Sequence, residues 1–220
     1  EIPMNFEVEL DTDSLLQQAV DRLISKAGED STLTKALVDY AVSKSDDDKS
    51  WDIAIDLNKA AKLLTKETAL PFLETLKNKD LEAFKRFDNK LKHQYNALSF
   101  QISSTASEIL DKMSENGLQF NDFSRGSIPN YFSALASNKM DVKLDAVWQQ
   151  NITTASFYSQ KKPQQVKAVI EGMRPLITTA FEATKKGLYR LKYLKNIQMN
   201  LTPLSVLTLV QKELNDLKIE

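Results

Sequence analysis

Apolar residues recur at intervals of three and four along most of the chain, which is the spacing of amphipathic α-helices. In the N-terminal part we predict helices over 14–27, 32–44 and 51–64. Asp13 is placed to cap the first helix and Gly28 to end it. Pro71 belongs to an early helical turn or a bend. The pattern predicts a mainly α fold.

The longest uninterrupted pattern runs from Leu81 to Met113, and Asn116-Gly117 follows it as a helix stop. A helix of this length extends roughly 50 Å at 1.5 Å per residue. It must pack lengthwise against other long helices, from this chain or from a partner. We therefore predict an elongated antiparallel helical bundle around one long helix at about 80–115, with 1–220 as a single helical domain.

The C-terminal half continues the helical pattern with several breaks. We predict helices over 129–136, 141–159 and 163–195 and a last helix from Thr202-Pro203 to Leu217. The third of these is expected to be interrupted near Gly172 and Pro175. Residues 140–146 also alternate as a strand would, so helix and strand both stay open there.

Two short segments alternate apolar and polar residues, at 4–10 and at 197–201. Because an isolated strand leaves its backbone groups unpaired, the two could pair as a minor two-stranded β element near the termini. The alternative is extended chain lying on a helical core.

The amino-acid composition limits the kinds of catalytic and metal site that the chain can form. The chain has no cysteine and one histidine, His93, which we expect on the surface. Thiolate metal sites, thiol nucleophiles and most histidine-based sites are thereby excluded. Asp46–Asp48 lacks the glycine and downstream glutamate of a calcium loop. We predict a protein that is not an enzyme, with no catalytic residues, no metal and no cofactor.

Hydropathy, the first residue and the cysteine content bear on the cellular location of the protein. No run of 18 or more apolar residues exists, so no transmembrane segment is predicted. The sequence begins at Glu1, and the missing cysteines favour a mature secreted or periplasmic protein, with the cytoplasm as the alternative.

The net charge of −1 hides an asymmetry along the chain. Residues 1–59 carry 14 acidic and 6 basic side chains, whereas residues 137–200 carry 11 basic and 4 acidic ones. Within 185–195, basic and aromatic side chains share helical stripes, which suits a phosphate-rich surface. The candidate binding residues are Lys185, Lys186, Tyr189, Arg190, Lys192, Tyr193 and Lys195. The same face could instead complement the acidic N-terminal third, or be a solvated helix.

We predict a non-catalytic helical interaction or scaffold protein that binds a protein partner or itself through long, coiled-coil-like amphipathic helices. The first alternative is binding of an anionic surface, lipid head groups or nucleic acid, through the basic helix 185–195. Peripheral membrane contact fits this alternative better than nucleic acid, because five cations in a nearly neutral chain are few for a nucleic-acid footprint. The second alternative is an apolar small-molecule site inside the bundle.

Overall fold

The computed structural model describes residues 11–46, 50, 52–76 and 79–217, and within these ranges the chain is mainly α, as the sequence predicts. The helices of the described ranges are α1 (Thr12–Ser25), α2 (Ser31–Asp46), α3 (Ala54–Ala61), α4 (Leu70–Leu76), α5 (Leu81–Glu115), α6 (Ser127–Ala136), α7 (Val147–Gln150), α8 (Gln164–Ser205) and α9 (Leu207–Leu217). Short 3₁₀ turns cover Lys62–Thr65, Glu67–Ala69, Phe120–Asp122 and Ser124–Gly126.

The long helix predicted from Leu81 is α5, and it ends where the sequence indicates. Gly117 has a φ of 69°, and the amides of Leu118 and Gly117 donate to the carbonyls of Met113 and Ser114, both at 2.9 Å. This is the Schellman arrangement that satisfies the last carbonyls of a helix.

Residue contacts divide the chain into two compact units. The N-terminal unit comprises Glu1–Lys90 and Ile197–Glu220, and the central unit comprises Leu91–Asn196. That 1–220 form a single domain stays a prediction.

In the N-terminal unit, α1 packs against α3 and α9. The apolar stripes of these helices meet in a core that includes Leu16, Val20, Leu57 and Val210. Glu213 of α9 is buried beside them, and its carboxylate accepts a hydrogen bond from Lys26. Pairing with a cation is what makes a buried carboxylate tolerable in an apolar environment.

A buried cation, Lys44, ties α2 to α3 in the same unit. The ammonium of Lys44, whose side chain is only 10% exposed, lies 2.7 Å from Asp56 and donates to the carbonyl of Asp52 at 2.8 Å. The Tyr40 hydroxyl donates to the same Asp56 carboxylate at 2.9 Å. Burial alone would raise the pKa of Asp56, but the hydrogen bonds from Lys44 and Tyr40 lower it.

The central unit has an aromatic core between α6, α7 and α8. The rings of Tyr131 and Trp148 contact Phe181 with centroids 5.5 and 5.0 Å apart, and Phe157 joins them from the chain before α8. The Tyr131 hydroxyl and the Thr184 hydroxyl are 3.0 Å apart, and burial raises the pKa of Tyr131 to about 12. This cluster fixes one side of α8 and so determines which side faces outward.

Two expectations about helix ends and strands are wrong. Asp11, not Asp13, caps α1: its carboxylate accepts from the Ser14 amide at 3.0 Å. Residues 197–201 are part of α8 rather than a strand, because a helix satisfies the backbone within the segment while burying Leu201. The other half of the predicted strand pair, 4–10, lies outside the described residues.

The helix predicted over 141–159 is largely absent. Residues 140–146 form neither helix nor strand, α7 has only four residues, and turns follow it. In this segment, side chains rather than helical hydrogen bonds pair with the backbone amide and carbonyl groups. The Gln149 amide accepts from the Ala146 N–H at 2.8 Å and donates to the Lys143 carbonyl at 3.2 Å, and Arg174 donates to the carbonyls of Ile152 and Ala155.

The predicted interruptions of the second long helix are also wrong. α8 runs without a break past Gly172 and Pro175 and ends at Ser205. The prediction that the last helix begins at Thr202-Pro203 is also wrong, because both residues belong to α8 and α9 begins at Leu207. Gly172 and Pro175 lie on its exposed side, where solvent can reach the carbonyl that a proline leaves without a partner. The break falls at Val206, which is fully buried in the core of the N-terminal unit.

Candidate functional site: a basic and aromatic face of α8

The helical period of α8 determines where each candidate side chain lies. Ile177, Phe181, Leu188 and Leu191 are buried in the core of the central unit, as their shared stripe predicts. The opposite side of the helix is therefore turned outward between residues 182 and 193. Of the candidates there, Lys185 is half-buried, whereas Lys186, Tyr189, Arg190, Lys192 and Tyr193 are exposed, as is Lys195 beyond them.

Five of the seven candidate residues line one shallow, open depression on this face. They are Lys185, Lys186, Tyr189, Arg190 and Tyr193, and Glu182 completes the lining. Lys192 and Lys195 are not part of it. Glu182 is not among the candidates predicted from the sequence, although its position three residues before Lys185 places it one helical turn away.

The charges of the depression are unevenly compensated. Lys185 lies 3.8 Å from Glu182, and its ammonium is 5.5 Å from the centroid of the Phe181 ring. Within the described part of the chain, Lys186 and Arg190 have no ion-pair partner. Tyr189 and Tyr193 are 58% and 66% exposed, so their rings present apolar area and a phenol group to solvent. The depression thus combines two uncompensated cations with two accessible rings.

A second surface groove lies between α5 and α8 of the central unit, and it was not predicted from the sequence. Its rim carries three carboxylates and one ammonium, and its floor is made of small and aliphatic residues. The lining residues are Thr105, Glu108, Ile109, Asp111, Lys112, Glu115, Leu176, Thr179, Ala180 and Ala183. The signal available in the sequence was the acidic stripe of α5, but which helix lies beside it depends on the tertiary fold.

The described residues were also compared with the requirements of a metal site and of a membrane-spanning helix. Within those ranges, no group of three or more histidine, cysteine, aspartate or glutamate side chains could hold a metal ion. Asp47 and Asp48 of the acidic run lie outside the described residues, and His93 is exposed on α5. No helix in the described ranges combines the length and the apolar character needed to cross a bilayer.

Comparison with known proteins adds no family assignment. No protein-family model, curated protein or solved structure matches the chain. The case for a function therefore depends on the surfaces of the chain itself.

Proposed function

We propose that the protein is a non-catalytic helical interaction protein that binds a partner protein through the outward face of α8 in the central unit. The observation that carries this proposal is the exposure of Tyr189 and Tyr193, both more than half accessible, around the unpaired cation of Arg190. Tyrosine and arginine are the residue types that dominate binding energy at protein interfaces. The charge of the depression favours an acidic partner surface.

The proposal can be tested by introducing a photo-crosslinking residue at Tyr193 in cells that naturally make the protein. A matched variant carries the same residue at Gln160, which is exposed in the central unit but lies on the chain before α8. We expect a defined covalent product from position 193 that is absent from position 160. Arg190→Glu in the position 193 variant should abolish the product.

The mass of the product identifies the partner class. A product of twice the chain mass indicates a second copy of the protein, and any other mass indicates a different protein. Absence of a specific product at position 193, or one that survives Arg190→Glu, would contradict the proposal.

Anionic-surface binding is the second candidate function, because Lys185, Lys186 and Arg190 lie together with two exposed rings. Cations attract phosphate groups and rings can stack or insert at an interface. We would measure co-sedimentation with phosphatidylcholine vesicles with and without phosphatidylserine, and binding to a single-stranded oligonucleotide. This candidate requires binding at low salt that falls as salt rises and is lost in Lys185→Glu/Lys186→Glu/Arg190→Glu. Wild-type protein that binds neither probe at low salt would exclude it.

A further inference from the structure

The groove between α5 and α8 lies on an antiparallel helix pair of the central unit. Gly187 of α8 lies against Ile102 of α5, and the groove joins residues 105–115 of α5 to residues 176–183 of α8. Later residues of α5 therefore meet earlier residues of α8. This register determines which charges lie at the same height along the two helices.

One half of this face is acidic. Glu108, Asp111 and Glu115 rise from the α5 side of the groove, and Lys112 is the one cation among its lining residues. Lys112 is paired with Glu115 at 2.7 Å, which leaves a net charge of about −2 on this half.

The other half of the face is basic. Residues three and four apart share one side of a helix, so the stripe of α8 through Leu176, Thr179 and Ala183 continues through Lys186 and Arg190. The stripe of Glu108 on α5 continues in the other direction through Ser104, Gln101 and Ala97, none of which is charged. Two cations without an ion-pair partner among the described residues therefore lie beyond Ala183. Glu182, one turn before Lys186 in the same depression, is paired with Lys185 instead.

We propose that this face is the contact between two copies of the chain, related by a two-fold axis near Ala183. The inference rests on the proposed function and names its partner. A two-fold rotation about that axis maps the basic half of one copy onto the acidic half of the other, and the reverse. In this orientation each acidic half of the face lies against a basic half, and the contact is closed with two copies.

The spacing of the charges fits this arrangement. Lys186 and Arg190 lie about 4.5 and 10.5 Å beyond Ala183 along α8 at 1.5 Å per residue. The two-fold rotation places these two side chains level, along the helix axis, with Ala180 and Leu176 of the other copy. In the register set by Ile102 and Gly187, these heights correspond to about residues 109 and 113 of α5. Lys186 thus meets Glu108, and Arg190 falls between Asp111 and Glu115.

The centre of the face permits close contact. Thr105, Thr179 and Ala183 have short side chains, so two helix pairs can approach closely at the axis. Leu176 is 45% exposed, and the two-fold rotation covers it in both copies. The apolar centre contributes burial, while the charges specify the antiparallel orientation.

Charge reversal in each half, followed by mixing, tests the proposal. The wild-type chain should show a concentration-dependent dimer in sedimentation velocity, weakened by salt. One double variant, Lys186→Glu/Arg190→Glu, reverses the basic half, and another, Glu108→Lys/Glu115→Lys, reverses the acidic half. Each should raise the dimer dissociation constant by on the order of a hundredfold, because each places like charges opposite each other at both ends of the contact. An equimolar mixture of the two variants should recover a heterodimer, since the reversed half of one variant then faces the reversed half of the other, and the two unchanged halves face each other.

Lys139→Glu/Lys143→Glu is the matched control: it makes the same charge change on exposed residues of the central unit away from this face, and it should dimerise as wild type does. Circular dichroism verifies that each variant is folded. A wild-type chain that stays monomeric, a control that loses the dimer, or a mixture that does not recover it would overturn the proposal. The photo-crosslinking result distinguishes failure of the dimer proposal from failure of the proposed function. A crosslinked product with a different protein would contradict the dimer but still support binding of a partner protein through α8.

Discussion

Gly187 and Ile102 are in closer contact than any other residue at position 187 would allow. A β-carbon built at Gly187 would lie 2.8 Å from the Ile102 Cδ1 atom and 2.9 Å from its Cγ1 atom. This contact seats α8 against α5 in the central unit and sets the register of the two helices. It therefore also sets which charges of α5 lie beside which charges of α8.

Replacing this glycine should destabilise the protein, and a second glycine of α8 provides the control. Gly187→Ala forces Ile102 or the helix to move, so we expect the free energy of unfolding to fall by about 1–3 kcal/mol. Nothing lies within 4 Å of a β-carbon built at Gly172, and Gly172→Ala should raise the free energy of unfolding by about 0.5–1 kcal/mol. Urea titration of both variants measures the difference. Equal effects at the two positions would contradict the described contact.

Lys44 should contribute much more to stability than a typical surface lysine. Lys44→Met leaves the Asp56 carboxylate and the Asp52 carbonyl without the ammonium that they share, so we expect a loss of about 1–3 kcal/mol. The control is Lys35→Met, which removes an exposed pair with Asp39 and should change stability by about 0.5 kcal/mol or less. Thermal unfolding of the two variants at one pH compares them. A loss at Lys35 as large as that at Lys44 would show that burial of the Lys44 pair is not the cause.

The pair between Glu171 and Arg174 should make stability depend on pH in the acidic range. Two hydrogen bonds from the Arg174 guanidinium, at 2.6 and 2.8 Å, lower the pKa of Glu171. A carboxylate with a lowered pKa in the folded state stabilises the protein above its unfolded pKa, about 4.3 for glutamate, and this contribution is lost as the pH falls through the lower folded value.

Glu171→Gln should therefore reduce the rise of unfolding free energy with pH in that window, because the unfolded chain no longer binds the extra proton. Urea titrations at a series of acidic pH values measure this slope. Asp141→Asn removes an exposed carboxylate that makes no ion pair with any described residue, and it serves as the control. A slope in Glu171→Gln equal to that of the wild type would contradict the assignment.

The sequence predicts the helices whose stability comes from their own periodicity. α5 is an example: its apolar stripe, its length and its stop at Gly117 could all be identified from residue spacing. The outward face of α8 was predicted for the same reason, since residues buried among Tyr131, Trp148 and Phe157 alternate with the basic ones. Periodicity also placed five of the candidate residues in one depression.

The error over 141–159 arises because side chains outside the segment's helical pattern satisfy its backbone. The chain before α8 carries the apolar spacing of a helix at Trp148 and Ile152, yet Gln149 and Arg174 bond its amide and carbonyl groups in an irregular path. Arg174 also covers the ring of Phe157, 4.0 Å from its centroid, so one side chain holds this segment by two kinds of contact. Such a contact joins residues about twenty positions apart, and no local pattern encodes it. The acidic groove was missed similarly, because its second wall comes from another helix.

The most direct measurement of the central claim is the distance between spin labels on two copies of the chain. Since the protein has no cysteine, single cysteines can be placed at Thr178, Pro175 and Glu171 of α8 without further changes. These residues are at least partly exposed and lie outside the stripe through Leu176, Thr179 and Ala183, so the labels do not occupy the contact. These positions are increasingly far from the proposed axis at Ala183, and each residue of separation adds about 3 Å of offset between the two copies. Double electron–electron resonance should give intermolecular distances that increase in that order, with offsets along the helix of about 15, 24 and 36 Å. Equal distances at the three positions, or no intermolecular distance at any of them, would contradict the claim that this face joins two copies of the protein.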